Sequence, residues 1–431
     1  MRYKIPNKDL FIRNRNKFSG KLPEKSLIIL HSNDEMPRNG DQTFPFRQLS
    51  DLFYLTGLDQ EKCILMLAPD HPDENLREMI FTIETSPEMV TWNGHRYTKE
   101  EVREVSGIKT VHWLDQFESQ LRSMMLWSEH VFLHQNEYPK FHTDVPVQNE
   151  RFIEKLKSEY PLHRYSRLAP LMKKFRSVKE PEELDLMQKA CDITKDAFIS
   201  VLETTKPGIT EYEVEAEMTH TFLKNGASGH AYPPIIASGD NACILHYIDN
   251  DKTCKDGDLL LMDFGAEYGN YAADCSRTIP VNGKFTPRQK ECYEAVLRVQ
   301  KEAEKLFVPG NSINIVDKKV KKMMEKEMIK LGLFTEEDVK NQDEKSPMYF
   351  KYFMHGMNHF IGLDVHDVGD KDMPFEEGMV LTCEPGLYIP DEHIGIRIED
   401  DIVVGETPRN LMKDIPKEVD EIEKMMMIIP Y

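Results

Sequence analysis

The 431-residue chain has seven cysteines, an odd number, and no CxxC pair among them. That pattern reads as reduced thiols in a cytoplasmic protein and not as a disulfide framework. No apolar run approaches the ~18 residues that would cross a bilayer, so no membrane-spanning helix is expected. The first residues, MRYKIPNKDLFIRNRNKF, are basic but have no apolar stretch of signal-peptide length. A basic excess is missing as well. The formal net charge is −19, which argues against nucleic acid or an anionic membrane as partner, because both reward clustered Lys and Arg.

What is present is ordinary for a globular protein: 40% hydrophobic and 30% charged residues. The length suggests two or three domains at roughly 100–200 residues each. Residues 1–175 mix short apolar runs (SLIIL, CILMLAP) with amphipathic stretches and read as an α/β domain with a central sheet. The turn-rich segment HSNDEMPRNGDQTFPF within it is expected at a surface or interface. The stretch from Ala169-Pro170 to Glu180-Pro181 is the candidate linker, leaving residues 176–431 as a second domain.

Helix signals are clear in that second part. Pro181 suits a first helical position with Glu182 and Glu183 behind it. Thr210 with Glu213 forms a capping box, Thr286-Pro287 with Gln289 opens another helix, and a fourth is expected over about 312–332. Strand-like runs follow each helix pair. Gly257 precedes Asp263 by six residues and Gly265 follows by two; Gly378, Glu384 and Gly386 repeat the spacing. Two similar helix-helix-hairpin halves are therefore expected, giving an α/β (α+β) chain overall.

The hairpins carry the acids. A Tyr268-Gly269 turn would set Asp263 opposite Asp274, with Cβ atoms about 4.5–5.5 Å apart. A loop centred on Asp391 and Glu392 would set Glu384 roughly opposite Glu399, and period-two alternation puts Arg397 on the face of Glu399. Carboxylates that close repel unless one is protonated or a cation lies between them. Four of them bring a charge of −4, which two divalent ions neutralise. Such a pair, about 3.5–4 Å apart, can hold a bridging hydroxide as nucleophile. A nitrogen ligand should come from HGMNHFIGLDVHD, which holds His355, His359 and His366; His246 in GDNACILHYIDN is a further candidate. Oxygen-rich donors with one imidazole suit manganese better than thiolate-loving metals.

The motifs LLMDFGAEY, YAADCSRT, HGMNHFIGLDVHDVG, MVLTCEPGLYI and GIRIEDDIVV, with FPFRQLSDLFYLTGL and TWNGHRY upstream, resemble the pita-bread metallopeptidase family, and the aminopeptidase P group in particular. The resemblance implies a pseudo-twofold catalytic domain with a curved antiparallel sheet covered by helices. It implies Asp263 as ligand of one metal, His359 and Glu384 as ligands of the other, and Asp274 and Glu399 as bridges. Further implied are catalytic roles for His246, His366 and Glu384, and substrate contacts from His246, His355, His366 and Arg397. Asp41 and Trp92 match positions where the first domain meets the active site, often from a neighbouring subunit. A homodimer or homotetramer acting on peptides with proline in second position is the implied form. The segment from His366 to Glu384 departs from the family's pattern. It is shorter and has no arginine, only Lys371. A prolidase and a catalytically silent binding module are the alternatives.

Overall fold

The computed structural model describes residues 3–343 and 345–427. The chain divides into two compact units, Ile5–Arg176 and Ser177–Tyr431 with Met1–Lys4.

The first unit is built on a six-stranded sheet. Its strands are β1 (Ser26–His31), β2 (Ile64–Leu67), β3 (Glu78–Thr82), β4 (Thr110–Trp113), β5 (His130–Leu133) and β6 (Arg164–Arg167), in the spatial order β4-β3-β2-β1-β5-β6. Only β2 runs antiparallel to its neighbours. SLIIL and CILML lie at the centre of this sheet, where both faces are covered, so every residue of β1 and β2 is buried. The segment after β1 forms a short exposed hairpin, Pro37–Asn39 with Gln42–Thr43.

The second unit repeats one plan. Helices α1 (Pro181–Thr204) and α2 (Glu211–Lys224) precede strands β7 (Ile235–Ser238), β8 (Leu259–Phe264), β9 (Ala266–Tyr268), β10 (Tyr271–Ala272) and β11 (Cys275–Pro280). Helices α3 (Pro287–Glu304) and α4 (Ile313–Lys330) precede β12 (Val380–Cys383), β13 (Gly386–Ile389), β14 (Ile394–Arg397) and β15 (Asp400–Val403). The helices start where their caps dictate. Pro181 and Pro287 occupy first positions, and the Thr286 hydroxyl accepts from the Gln289 N–H. All seven cysteines are free thiols, six of them buried. Among the described residues no helix is long and apolar enough to cross a membrane.

The first acid hairpin differs from the sequence expectation by one residue at its turn. Tyr268 pairs with Tyr271 and Glu267 with Ala272, so Gly269-Asn270 is the two-residue loop, not Tyr268-Gly269. Both loop residues have positive φ (59° and 67°), which a type I′ turn requires and Gly and Asn tolerate. The register is corrected accordingly: Asp263 faces Ser276, and Asp274 is its diagonal neighbour on the same side. In the second hairpin Cys383 pairs with Asp400 and Gly386 with Arg397. Carried across the break between these ladders, that register brings Glu384 opposite Glu399.

Gly265 marks where the first hairpin kinks. A Cβ there would lie 1.8 Å from the Ala273 carbonyl oxygen. Gly265→Ala must push the two strands apart beside Asp274, and overpacking of this kind costs about 1–3 kcal/mol. The unfolding midpoint should fall by several degrees, at about 2–4 °C per kcal/mol. An unchanged midpoint in calorimetry would show that the backbones are not locked together there.

Candidate metal centre

Both hairpins deliver their acids to one place. Donor atoms of Asp274, His359 and Glu399 lie within 4.8 Å of one another. His359 Nε2 is 3.3 Å from Asp274 Oδ2 and 3.7 Å from Glu384 Oε1. Its other ring nitrogen meets the Phe360 carbonyl oxygen at 3.0 Å, which fixes the ring and leaves Nε2 turned to the acids. The Tyr232 hydroxyl lies 2.6 Å from an oxygen of Asp263 and 2.6 Å from one of Asp274. All four acids and His359 are thus gathered in one cluster.

Burial and mutual repulsion of like charges govern the electrostatics of this cluster. Burial, reinforced by Asp274, Glu384 and Asp263, pushes the Glu399 carboxyl well above the usual range. Burial raises Asp274 too, helped by Asp263 and opposed by His359. Burial pushes Glu384 up to about 7 against the pull of His359 and Arg397. Burial works against charging His359, yet the Asp274 hydrogen bond and the Glu384 charge outweigh it and hold the ring at about 9. Protons collect where charge has no other partner.

The Tyr232 hydroxyl tests whether cations fit. A phenol carries one proton, so it can satisfy only one of two carboxylates at 2.6 Å. The other contact needs a protonated acid or a cation. Among the described residues only one acid of the set, Asp263, meets a guanidinium, through Oδ2 and Arg397 at 2.5 Å. The remaining oxygens form a hard, oxygen-rich set with one imidazole, which fits small divalent ions.

Arg397 is buried and fastens the cluster from behind. It donates to Asp263, to the Tyr388 hydroxyl at 2.9 Å and to the Ser276 hydroxyl at 2.7 Å. Ser276 in turn donates to Glu399 Oε2 at 2.6 Å. Arg397 therefore reaches Asp263 directly and Glu399 through one hydroxyl. Beneath Glu399, the fully buried Arg277 donates to the carbonyls of Ser276 and Glu399 and to Asp400.

His355 and His366 adjoin this cluster. His355 meets Tyr388 at 2.9 Å and the Gly356 carbonyl at 2.7 Å. Burial, with Arg397 nearby, lowers it to about 3, so it is neutral. Its ring lies edge-on to Phe353 and Tyr388. His366 is exposed, and its ring stands edge-to-face with His359, centroids 4.5 Å apart. His246 is exposed in a turn whose neighbour, Tyr247, is buried and donates to Glu211 at 2.7 Å. Trp92 and Asp41 belong to the first unit. Trp92, on the short helix Pro87–Asn93, is 82% exposed, so it packs in no core of that unit, and Asp41 is exposed in the hairpin loop.

Sequence reasoning missed Tyr232, Ser276, Tyr388 and the Arg277–Asp400 pair. The last left a signal: two acids follow Glu399 directly inside an apolar run, IEDDIVV. An acid buried in such a run calls for a buried cation or a proton, and Asp400 has the cation.

Comparison with known proteins agrees with this architecture. The family model "Metallopeptidase family M24" matches residues 185–406, and "Aminopeptidase P, N-terminal domain" matches residues 11–132. The Xaa-Pro aminopeptidase of Haemophilus influenzae is 36% identical over 98% of both chains. That of Escherichia coli is 36% identical over 97% of both. Among solved structures, Pseudomonas aeruginosa aminopeptidase PepP superposes with a TM-score of 0.89 at 31% identity, covering 98% of each chain. Escherichia coli aminopeptidase P with the inhibitor Pro-Leu gives 0.87 at 33% identity, covering 98% of this chain and 99% of that one. Such neighbours have the pita-bread fold, with the acid hairpins of the second unit as its two halves. On sequence, architecture and the gathered acids alike, the chain belongs to metallopeptidase family M24, in its aminopeptidase P branch.

Proposed function

We propose that this metalloaminopeptidase hydrolyses the bond between an N-terminal residue and a penultimate proline, with two divalent ions held by Asp263, Asp274, His359, Glu384 and Glu399. The observation that carries the reading is the convergence of four acids on one imidazole, raised in pKa by burial and by one another. When bound, two divalent ions supply a water that ionises near neutral pH and a Lewis acid for the peptide carbonyl. Manganese suits the oxygen-rich donors best. Asp263, Asp274, His359, Glu384 and Glu399 would hold the ions, four carboxylates supplying negative charge and one imidazole a neutral nitrogen.

The chain's own groups divide the remaining work. Glu384 accepts the proton of the attacking water. His246 and His366, both exposed, hold the developing oxyanion and return a proton to the proline nitrogen, which leaves poorly as an anion. His355, neutral and edge-on to Phe353 and Tyr388, offers a flat apolar wall for the proline ring. Arg397 keeps Asp263 and Glu399 in place. The acid-rich site attracts a free α-amino group. Trp92 and Asp41, exposed on their own unit, are available to a substrate or to a second copy in a homodimer or homotetramer. Seven free thiols fit a cytoplasmic setting.

A prolidase would need a free cation for the carboxylate of an Xaa-Pro dipeptide. Arg397 is committed to Asp263, Ser276 and Tyr388, which favours longer peptides. A silent binding module would have no reason to retain the full donor set. Rates on Xaa-Pro-Yaa and Xaa-Pro peptides with manganese decide: the longer peptide should be cleaved, releasing one residue. Cleavage of the dipeptide alone would establish the prolidase, and cleavage of neither with metal bound would favour the binding module.

A further inference from the structure

The segment from Ile361 to Gly378 carries His366 and leads from His359 to the strand before Glu384. It contains no helix or strand, so it has no ladder of its own to hold an imidazole still. Its fastenings come from elsewhere, and two of them come from one residue, Lys179, near the start of the catalytic unit. The Lys179 N–H donates to the Gly378 carbonyl at 3.0 Å, at the far end of the segment. Its ammonium donates to Asp367 Oδ2, also at 3.0 Å, on the residue that follows His366. Both side chains are 1% exposed.

The pair sits in a slot shaped for it. A Cβ on Gly362 would lie 2.3 Å from Asp367 Oδ2 and 2.8 Å from Lys179 Nζ. The Gly362 carbonyl accepts from Ala272 N–H at 2.8 Å, two residues before Asp274. Asp367 also accepts from the Val368 N–H through its other oxygen and donates its own N–H to the Phe360 carbonyl, each at 2.8 Å. The ion pair thus holds Asp367, beside His366, in a segment whose backbone is bonded to Phe360, next to His359, and to Ala272, two residues before Asp274.

A buried ion pair is poor evidence for stability, since apolar replacements of equal volume are often neutral or better. What it supplies that apolar contact does not is direction. We propose that Lys179, acting through Asp367, is a positioning residue that fixes His366 for its work on the substrate. The inference rests on the proposed role of His366 in facing the substrate. A displacement of about 1 Å in such a group can cost on the order of a hundredfold in rate.

The test compares Lys179→Met, the double variant Lys179→Met with Asp367→Asn, and His366→Ala in the full chain at saturating manganese. Metal content, unfolding midpoint, kcat and KM on an Xaa-Pro-Yaa peptide are measured for each. Lys179→Met takes the ammonium away from a buried carboxylate, so both midpoint and kcat should fall, kcat by about 10–100-fold, with KM within about twofold and metal content kept. The double variant removes the carboxylate's charge as well; its midpoint should return toward wild type while kcat stays low. If kcat recovers with the midpoint, or never falls, the pair is only structural and the proposal is overturned. Loss of metal in either variant also overturns it, because the pair would then serve the ions and not His366. Should Lys179→Met fail to fold, the double variant decides by itself on the same criteria. His366→Ala separates the two readings. A wild-type kcat there removes the role of His366 and this inference with it. An impaired His366→Ala beside a normal double variant removes this inference only.

Discussion

Asp274→Ala is expected to lower kcat by about a thousandfold or more, to the limit of detection. Asp274 is the acid on which the cluster turns: it meets His359 at 3.3 Å, Tyr232 at 2.6 Å and shares its donor set with Glu399. In the proposed centre its removal would take away a metal ligand and leave the other three acids facing one another with less to hold a cation. Loss of a single preorganised donor at a reacting centre already costs about 10²–10³-fold, and loss of a ligand that the proposed ions would share should exceed that. Fold and midpoint should change little in the metal-free protein, because a repelling buried charge is removed along with the contact. Measured turnover near wild type, with metal content unchanged, would take Asp274 out of the centre.

The second large effect is the dependence of the metal-free protein on pH. In the absence of ions Glu384 holds its proton up to about 7, against an ordinary 4.5, and Asp274 and Glu399 shift in the same direction. Between those two values the folded state keeps a proton that the unfolded chain has released, so stability falls as pH rises. The contribution is complete below about 4.5 and lost through about 7, on the order of 3 kcal/mol from Glu384 alone. His359, held at about 9, adds a second loss at higher pH, since its charged form is favoured in the fold. Divalent ions bound as proposed would replace these protons and flatten the profile, releasing protons as they bind. Chelated enzyme should thus be inactive, and its midpoint should fall from pH 5 to pH 8 while that of the manganese form holds steadier. Parallel profiles with and without metal would mean that the acids are not the ones the ions neutralise.

Local signals made much of this legible in the sequence. Caps are decided within four residues, so Pro181, Thr210, Thr286 and Ser312 mark the helix starts that form. The repeated glycine spacing around Asp263 and Glu384 likewise marks two hairpins of one kind. The turn of the first hairpin was harder to place, because Tyr268-Gly269 and Gly269-Asn270 both contain a turn former. Only the need for two positive φ values selects the latter. Long-range partners left fainter traces. Tyr232 reaches Asp263 and Asp274 from 31 and 42 residues upstream, and Lys179 meets Asp367 across 188. Neither spacing has a periodicity to follow along the chain. An aromatic such as Trp92 can serve core or surface alike, which its neighbours along the chain do not decide; its exposure places it on the surface of its unit.

The most direct measurement is crystallographic: anomalous scattering at the manganese edge from crystals grown with the ion. Two peaks are expected, enclosed by Asp263, Asp274, His359, Glu384 and Glu399. A crystal with no peak there, or with peaks only on surface acids while Arg397 and Tyr232 still occupy the carboxylates, would contradict the account.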